Sequence, residues 1–382
     1  MKKKIFLVTS SRADYDHLYW LMKNLIKIDR FKLTLLVTGN HMEKKFGNTI
    51  SKIKVENKIK LLKLKISFKE DSKNSISKSL ANIISKSSIC FDKHKPNLII
   101  LLGDRFEILG CAIGASINNI PLAHLNGGEV TAGAIDEWSR HSITKMSNFH
   151  FVANKVYKKR VIQLGEDPKK VFCTGGLSAD NVKKTKILKK NILESKLGKN
   201  LLKKNILITY HPETLEKKKS SYLFANILKA LEKLNDVGLF FTSPNADPDN
   251  SVITKMINNF VKKNKNAYFF LNLGRQKYLS LMRHCNIILG NSSSGLLEAP
   301  YLGTYTINIG DRQLGRLKSN TIYDVKNERN KIKILINKLI SKKKHKIIKL
   351  MYGRGNAAKN ITDIIRKIDF DSINLKKKFY DL

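Results

Sequence analysis

HLNGGEVTAGAIDEWSRHSITK, residues 124–145, carries more side-chain chemistry than any other window of the chain. It opens inside IPLAHLNGG (120–128), a short apolar run that stops at Gly127-Gly128. Four ionisable groups follow, Glu129, Asp136, Glu137 and His141, and a polar helical pattern begins near Asp136. A buried strand that ends at glycines and hands acidic side chains to a loop and a helix is how open α/β sheets build sites at the carboxyl ends of their strands. The stretch is therefore the candidate catalytic centre of an α/β protein.

The flanking sequence repeats that grammar. KIFLVT (4–9) reads as a strand, SSRADYDHL leads into an amphipathic helix through Asn24, and FKLTLLVTG (31–39) is the next strand. Strand, polar turn, helix, strand is the opening of a parallel sheet. Residues 51–75 read as a lysine-rich irregular stretch, 76–93 as a helix, and NLIILLGDRFE (97–107) as a buried strand before the apolar helix ILGCAIGASI. FHFVAN (149–154) is one more strand. After CTGGLSADNV (173–182) the pattern restarts, with strands at 205–213, 237–250, 267–274, 286–300 and 304–316, each stopping at a polar or glycine-rich loop. The expected organisation is two doubly wound α/β domains with parallel sheets and a cleft between them: residues 1–175, residues 176–355, and a helix and tail, 356–382, packing back on the first domain.

At 382 residues the chain is long for one hydrophobic core. Its formal charge of +41, from 72 Lys plus Arg against 31 Asp plus Glu, would ordinarily point to nucleic acid. Lysine greatly outnumbers arginine, however, and Asn and Ile are abundant, the joint signature of an AT-rich genome. The lysines are also dispersed: 183–204 and 341–350 read as solvated helix faces, not as a basic stripe interleaved with aromatics. No nucleic-acid partner is expected. Cys90, Cys111, Cys173 and Cys285 have no CxxC spacing and read as reduced, buried side chains of a cytosolic protein. The first apolar run, Ile5 to Val8, is too short for a signal sequence, and no run reaches the roughly 20 residues that cross a bilayer.

Neither half opens with GxGxxG or a Walker A loop, so no nicotinamide, flavin or P-loop chemistry is inferred. Phosphate binding has its best candidate in GNSSSGLLE (290–298), where a strand ends at Asn291 and a helix begins near Leu296. Backbone N–H groups, the hydroxyls of Ser292, Ser293 and Ser294, and the helix dipole suit a diphosphate there, although an ordinary serine N-cap reads the same way. Glu298 is placed to accept from ribose hydroxyls or simply to favour a helix start. Arg12, in the loop after the first strand, and Arg312 and Arg316, in GDRQLGR, are phosphate clamps or surface ion pairs. Asp104, followed by Arg105, is an acid or base at a strand end, or half of an ion pair with its neighbour. His211, in ITYHPET, either serves a departing phosphate or is a hydrogen-bonded structural histidine. Asn245 and Asp247, in PNADPDN, offer hydroxyl contacts or form a plain turn. His124, His141 and the nearby acids match no metal-binding spacing, and no metal is expected.

Taken together and in order, SSRADYDHL, VTGNHMEKKFGNT, LLGDRFE, HLNGGEV, IDEWSRHSITK, TGGLSADN, His211-Pro212, PNAD, GNSSSGLLEAP and GDRQLGR resemble the UDP-N-acetylglucosamine 2-epimerases, over about residues 4–360. The resemblance is to the hydrolysing branch that supplies sugars for sialic and legionaminic acid synthesis. It implies a glycosyltransferase-B-like fold of two Rossmann-like domains, a UDP- or GDP-linked sugar as partner, no cofactor, and a homodimer as the assembly. It further implies that Asp104 and Asp136 are acid/base carboxylates and that His211 partners the leaving group. Arg12, Arg105, Asn245, Asp247, Ser292, Ser293, Ser294, Glu298 and Arg312 would hold the nucleotide and substrate. One departure stands out. Where many relatives carry Glu before the two glycines this chain has Asn126, so that Glu129 takes over or the second proton step is shared by Asp104 and Asp136.

Overall fold

The computed structural model describes residues 1–43, 49–53, 55–66, 73–131, 136–213, 218–244, 249–344 and 348–382. They divide into two compact units. Unit 1 comprises residues 1–129, 135–181 and 352–382; unit 2 comprises 130–134 and 182–351.

Unit 1 is built on a seven-stranded sheet. Its strands are β1 (Lys3–Thr9), β2 (Phe31–Val37), β3 (Ile59–Lys63), β4 (Leu98–Leu102), β5 (Leu122–Leu125), β6 (Phe149–Val152) and β7 (Val171–Cys173). The order is β3-β2-β1-β4-β5-β6-β7, and every neighbouring pair is parallel. The connecting helices are α1 (Arg12–Leu25), α2 (Lys73–His94), α3 (Phe106–Ile117), α4 (Asp136–Met146), α5 (Lys155–Gln163) and α6 (Leu177–Lys184). Strands covered by helices on both faces read as unbroken apolar runs, and β4, LIILL, is buried at all five positions. Two separate cores flank the sheet, one containing Leu18, Leu35 and Ile100, the other Phe6, Ile99 and Ile108.

Unit 2 follows the same plan with α7 (Lys190–Leu197), β8 (Lys204–Thr209), α8 (Ser220–Leu231), β9 (Val237–Thr242), α9 (Asn250–Lys263), β10 (Ala267–Phe270), α10 (Arg275–His284), β11 (Ile287–Gly290), α11 (Ser294–Leu297), β12 (Tyr305–Ile309), β13 (Ile322–Val325) and α12 (Arg329–Leu339). Its six strands are parallel in the order β10-β9-β8-β11-β12-β13. The last helix, α13 (Ala357–Lys367), belongs to unit 1 and packs on α1. The Asp180 carboxylate accepts the Ala357 N–H at 2.8 Å and the Ala358 N–H at 3.4 Å, satisfying donors at that helix start.

Several sequence expectations need correction. The stretch 51–75 holds β3, an edge strand pairing with β2 from Leu33–Ile59 to Val37–Lys63; its sequence, IKLLK, is lysine-rich because an edge strand is half solvated. Residues 341–344 and 348–350 are not helical, so the lysines of that tract do not form a helix face. Cys111 and Cys285 are buried, but Cys90 is only half-buried and Cys173, on edge strand β7, is exposed. No helix among the described residues is long and apolar enough to cross a membrane.

Candidate active site

In both sheets the order in which successive strands are added reverses beside the first strand, between β1 and β4 and between β8 and β11, although all strands stay parallel. Loops leaving the carboxyl ends of strands at such switch points are where parallel sheets bind ligands. Asp104 follows β4, and His211 and Asn291 follow β8 and β11.

In unit 1 the hub is Arg140, on α4 and only 1% exposed. Its guanidinium pairs with the Asp104 carboxylate, donates to the Glu129 carbonyl at 2.8 Å and pairs with Glu137 at 2.9 Å. The helical spacing brings this about: Glu137 lies three residues before Arg140 on α4, and Asp136 begins the same helix. Four acids are thereby gathered around one cation or onto its helix, with Asp104 one-fifth exposed and Glu129 buried. Glu137 also meets His141 Nε2 at 3.1 Å. Arg140 is a residue that sequence reasoning missed; its acidic neighbour at i−3 was the available signal.

Asp104 does not pair with Arg105. Arg105 turns to Glu107, bonding both carboxylate oxygens at 3.1 and 2.9 Å. Glu107 is fully buried, and burial pushes its carboxyl above the ordinary range against the pull of Arg105. Arg12 is the first residue of α1, not a loop residue, because Ser11 and Asp14 form a capping box that starts the helix there; its guanidinium meets Asp16 at 2.6 Å.

His124 is built into the scaffold. Its Nε2 donates to the Gly103 carbonyl at 2.8 Å, which leaves Nδ1 to accept from the Thr144 hydroxyl at 3.0 Å. Full burial lowers its pKa to about 3, so the ring is neutral. It thus ties the loop carrying Asp104 to α4, and both of its nitrogens are occupied. Gly128, with φ of +74°, could not be replaced: a Cβ would lie 2.5 Å from the Tyr157 carbonyl. Asn126 is also left-handed, at φ +67°.

In unit 2, Asn291 joins three loops. Its side chain accepts the His211 N–H at 2.7 Å, donates to the His211 carbonyl at 2.8 Å and reaches Glu213 at 3.3 Å. Its own carbonyl accepts from Gln313 at 2.8 Å and Arg312 at 3.3 Å. The loops after β8, β11 and β12 are therefore one hydrogen-bonded unit. Glu213, also bonded to the Asp311 N–H at 3.4 Å, is buried, and desolvation raises its pKa. Sequence reading passed over Glu213 and Asn291, although both adjoin residues it singled out.

The serine loop differs from expectation. The helix starts at Ser294 and lasts four residues, so any anion binding there rests on N–H groups and hydroxyls and not on a helix dipole of useful size. Ser294 Oγ is bonded to the Tyr278 hydroxyl at 2.6 Å and to Ser292 Oγ at 3.1 Å. Burial, with Glu298 nearby, pushes Tyr278 up to about 12, which keeps it a donor. Ser292 and Ser293 are half-buried, and Glu298 is buried at the end of the turn. Arg316 bonds the Val130 carbonyl at 2.9 Å and Thr131 at 3.2 Å. Asn245 and Asp247 lie outside the described residues.

The model of the UDP-N-acetylglucosamine 2-epimerase family matches residues 23–366. The chain is 41% identical over 390 residues to the GDP/UDP-N,N'-diacetylbacillosamine 2-epimerase (hydrolyzing) of Campylobacter jejuni, with all of each chain covered. It is 36% identical to the polysialic acid biosynthesis protein P7 of Escherichia coli, covering 100% of this chain and 98% of that one. Among solved structures, the UDP-GlcNAc 2-epimerase of Neisseria meningitidis bound to UDP-GlcNAc superposes with a TM-score of 0.80 at 22% identity, covering 96% of this chain and 100% of that one, which establishes the shared fold. Matched along nearly its whole length, the chain belongs to the UDP-N-acetylglucosamine 2-epimerase family.

Proposed function

We propose that the chain is a hydrolysing nucleotide-sugar 2-epimerase. The observation that carries the reading is the full-length identity of 41% to a relative named as a hydrolysing 2-epimerase. The Asp104 carboxylate held on Arg140, with Glu129 beside it through its backbone carbonyl, supports this reading as the candidate proton-transfer centre. The substrate is a UDP- or GDP-linked N-acetylated hexosamine, with a 2,4-diacetamido-6-deoxy sugar favoured by the name of that relative. The product is the free C2-inverted sugar, N-acetylmannosamine or its diacetamido analogue, feeding sialic or legionaminic acid synthesis in the cytoplasm.

The reaction has two halves. A carboxylate removes the C2 proton, the C2 electron pair forms the C1–C2 double bond, and the C1–O bond breaks with loss of the nucleoside diphosphate. Water then adds at C1 of the resulting glycal while C2 is reprotonated on the other face. Two acids of unlike standing are required, and Asp104 and Asp136 are the pair we assign. The Arg140 guanidinium holds and orients the Asp104 carboxylate, the group assigned as base. Glu129, buried with its carbonyl on the same guanidinium, is the candidate to stand in for the carboxylate missing at Asn126. His211 and Arg312, tied together through Asn291, are assigned to the departing diphosphate with Ser292 and Ser293.

Incubation in D2O with UDP-N-acetylglucosamine and with UDP- and GDP-linked N,N'-diacetylbacillosamine, followed by NMR, tests the proposal. Free sugar deuterated at C2 together with released nucleoside diphosphate is the expected result. A deuterated product still linked to nucleotide would instead assign the non-hydrolysing reaction, and no exchange with any of the three would remove the epimerase reading.

A further inference from the structure

The last residues of the chain return to α4. Lys377 Nζ donates to the Lys145 carbonyl at 2.7 Å and the Ser147 carbonyl at 2.6 Å, the unpaired acceptors at the carboxyl end of that helix. The same ammonium pairs with Glu166 at 2.6 Å. Glu166, 2% exposed, also takes Lys145 at 2.8 Å and His150 at 2.8 Å. Beside this knot the Phe379 ring lies flat on Gly165, where a Cβ would come within 2.4 Å of it, and sits 5.0 Å beneath Lys145 Nζ. The Tyr380 N–H closes the contact on the Gly165 carbonyl at 3.0 Å.

The other end of α4 carries Asp136, Glu137 and Arg140. The helix is 11 residues long, about 16 Å, and moves as a rod. An anchor at its carboxyl end fixes where Arg140 meets Asp104. We propose that residues 376–380 form a strap that positions α4, and that Lys377 is the positioning residue through which it acts on the reaction. The inference rests on the assignment of Asp104, Asp136 and Arg140 to proton transfer. Lys377 is exposed as a residue, but its side chain is only 26% exposed, and burial of the ammonium lowers its pKa against the raising effect of Glu166 where it grips the helix. A cation at that terminus also complements the helix dipole.

The test compares K377A, K377R, the neighbouring charge control K378A and a chain ending at Asp371, with a synthetic peptide of residues 372–382 added back. Misplacement of reacting groups by about 1 Å costs up to about a hundredfold, so kcat of K377A and of the shortened chain should fall tenfold to a hundredfold with KM changed less than about twofold. K377R and K378A should stay within about twofold of wild type, and saturating peptide should restore most of the kcat of the shortened chain. Hydrogen exchange of the α4 amides should quicken about tenfold in K377A, a readout that needs no substrate. Unchanged kcat in K377A, an equal loss in K378A, peptide that binds without restoring turnover, or unaltered exchange each overturns the strap. If the shortened chain does not fold, K377A decides alone. A wild-type enzyme inert towards every nucleotide sugar would end the functional assignment, while hydrogen exchange would still decide the strap.

Discussion

Asn126 shows how one backbone angle constrains chemistry. At φ +67° it occupies the left-handed region, which asparagine enters far more easily than glutamate. Restoring the relatives' glutamate by Asn126→Glu should therefore cost about 1 kcal/mol of stability, whereas Asn126→Gly should be close to neutral, as read from urea unfolding midpoints. Equal midpoints for the two variants would show that the position carries no backbone strain. Arg140 is the second decisive residue, because a buried fork holds the Asp104 and Glu137 carboxylates and the Glu129 carbonyl together. Lysine keeps the charge but loses the fork, so Arg140→Lys should lower kcat by about a hundredfold while the protein stays folded. Asp136→Asn should abolish turnover and leave UDP or GDP binding intact by calorimetry; wild-type turnover would take Asp136 out of the mechanism.

At the scale of elements, legibility followed burial. Strands β4, β5 and β11 announce themselves as apolar runs ending in glycine because both faces are covered, and the loops after them were read as site loops for that reason. Strands β3 and β13 hid because edge strands alternate or carry polar residues, as IKLLK and IYDV do. The site was legible as a set of positions but not as a set of partners. That Arg140 turns to Asp104 depends on the packing of α3 against α4, which no spacing reveals. Asn291 makes the same point in unit 2: a residue read as the end of a strand is the junction of three loops. Its replacement in Asn291→Ala leaves the His211 N–H and carbonyl without their partner in a buried setting, which should cost about 2–4 kcal/mol. UDP affinity, measured by calorimetry, should weaken in parallel, and a variant as stable as wild type would show that the three loops hold without it.

The whole molecule answers to pH through histidines it keeps neutral. Burial lowers His124 to about 3 and His41 to about 4, and moves His150 the same way. An unfolded histidine takes a proton near pH 6.5, so below that value the unfolded state binds protons that the folded state refuses. Stability due to these groups is full above about pH 6.5 and is lost as pH falls towards each folded value, at up to about 1.4 kcal/mol per pH unit for each histidine. Glu107 and Glu213 work in the opposite sense. Their raised carboxyl pKa values stabilise the fold at low pH, a contribution lost as pH rises through those values. The net charge of +41 adds a repulsion that grows as carboxylates protonate. A single variant separates His124 from these opposing effects. In His124→Gln the amide can still donate to the Gly103 carbonyl but takes up no proton in the unfolded chain, while every other titrating group and the overall charge near neutrality are shared with wild type. The difference in unfolding free energy between the two proteins should therefore shrink in the variant's favour from pH 6.5 to pH 4, with a slope near one proton. Parallel stability profiles would mean that His124 is protonated in the fold as readily as in the unfolded chain, and would break the link drawn between the Asp104 loop and α4 through a neutral ring.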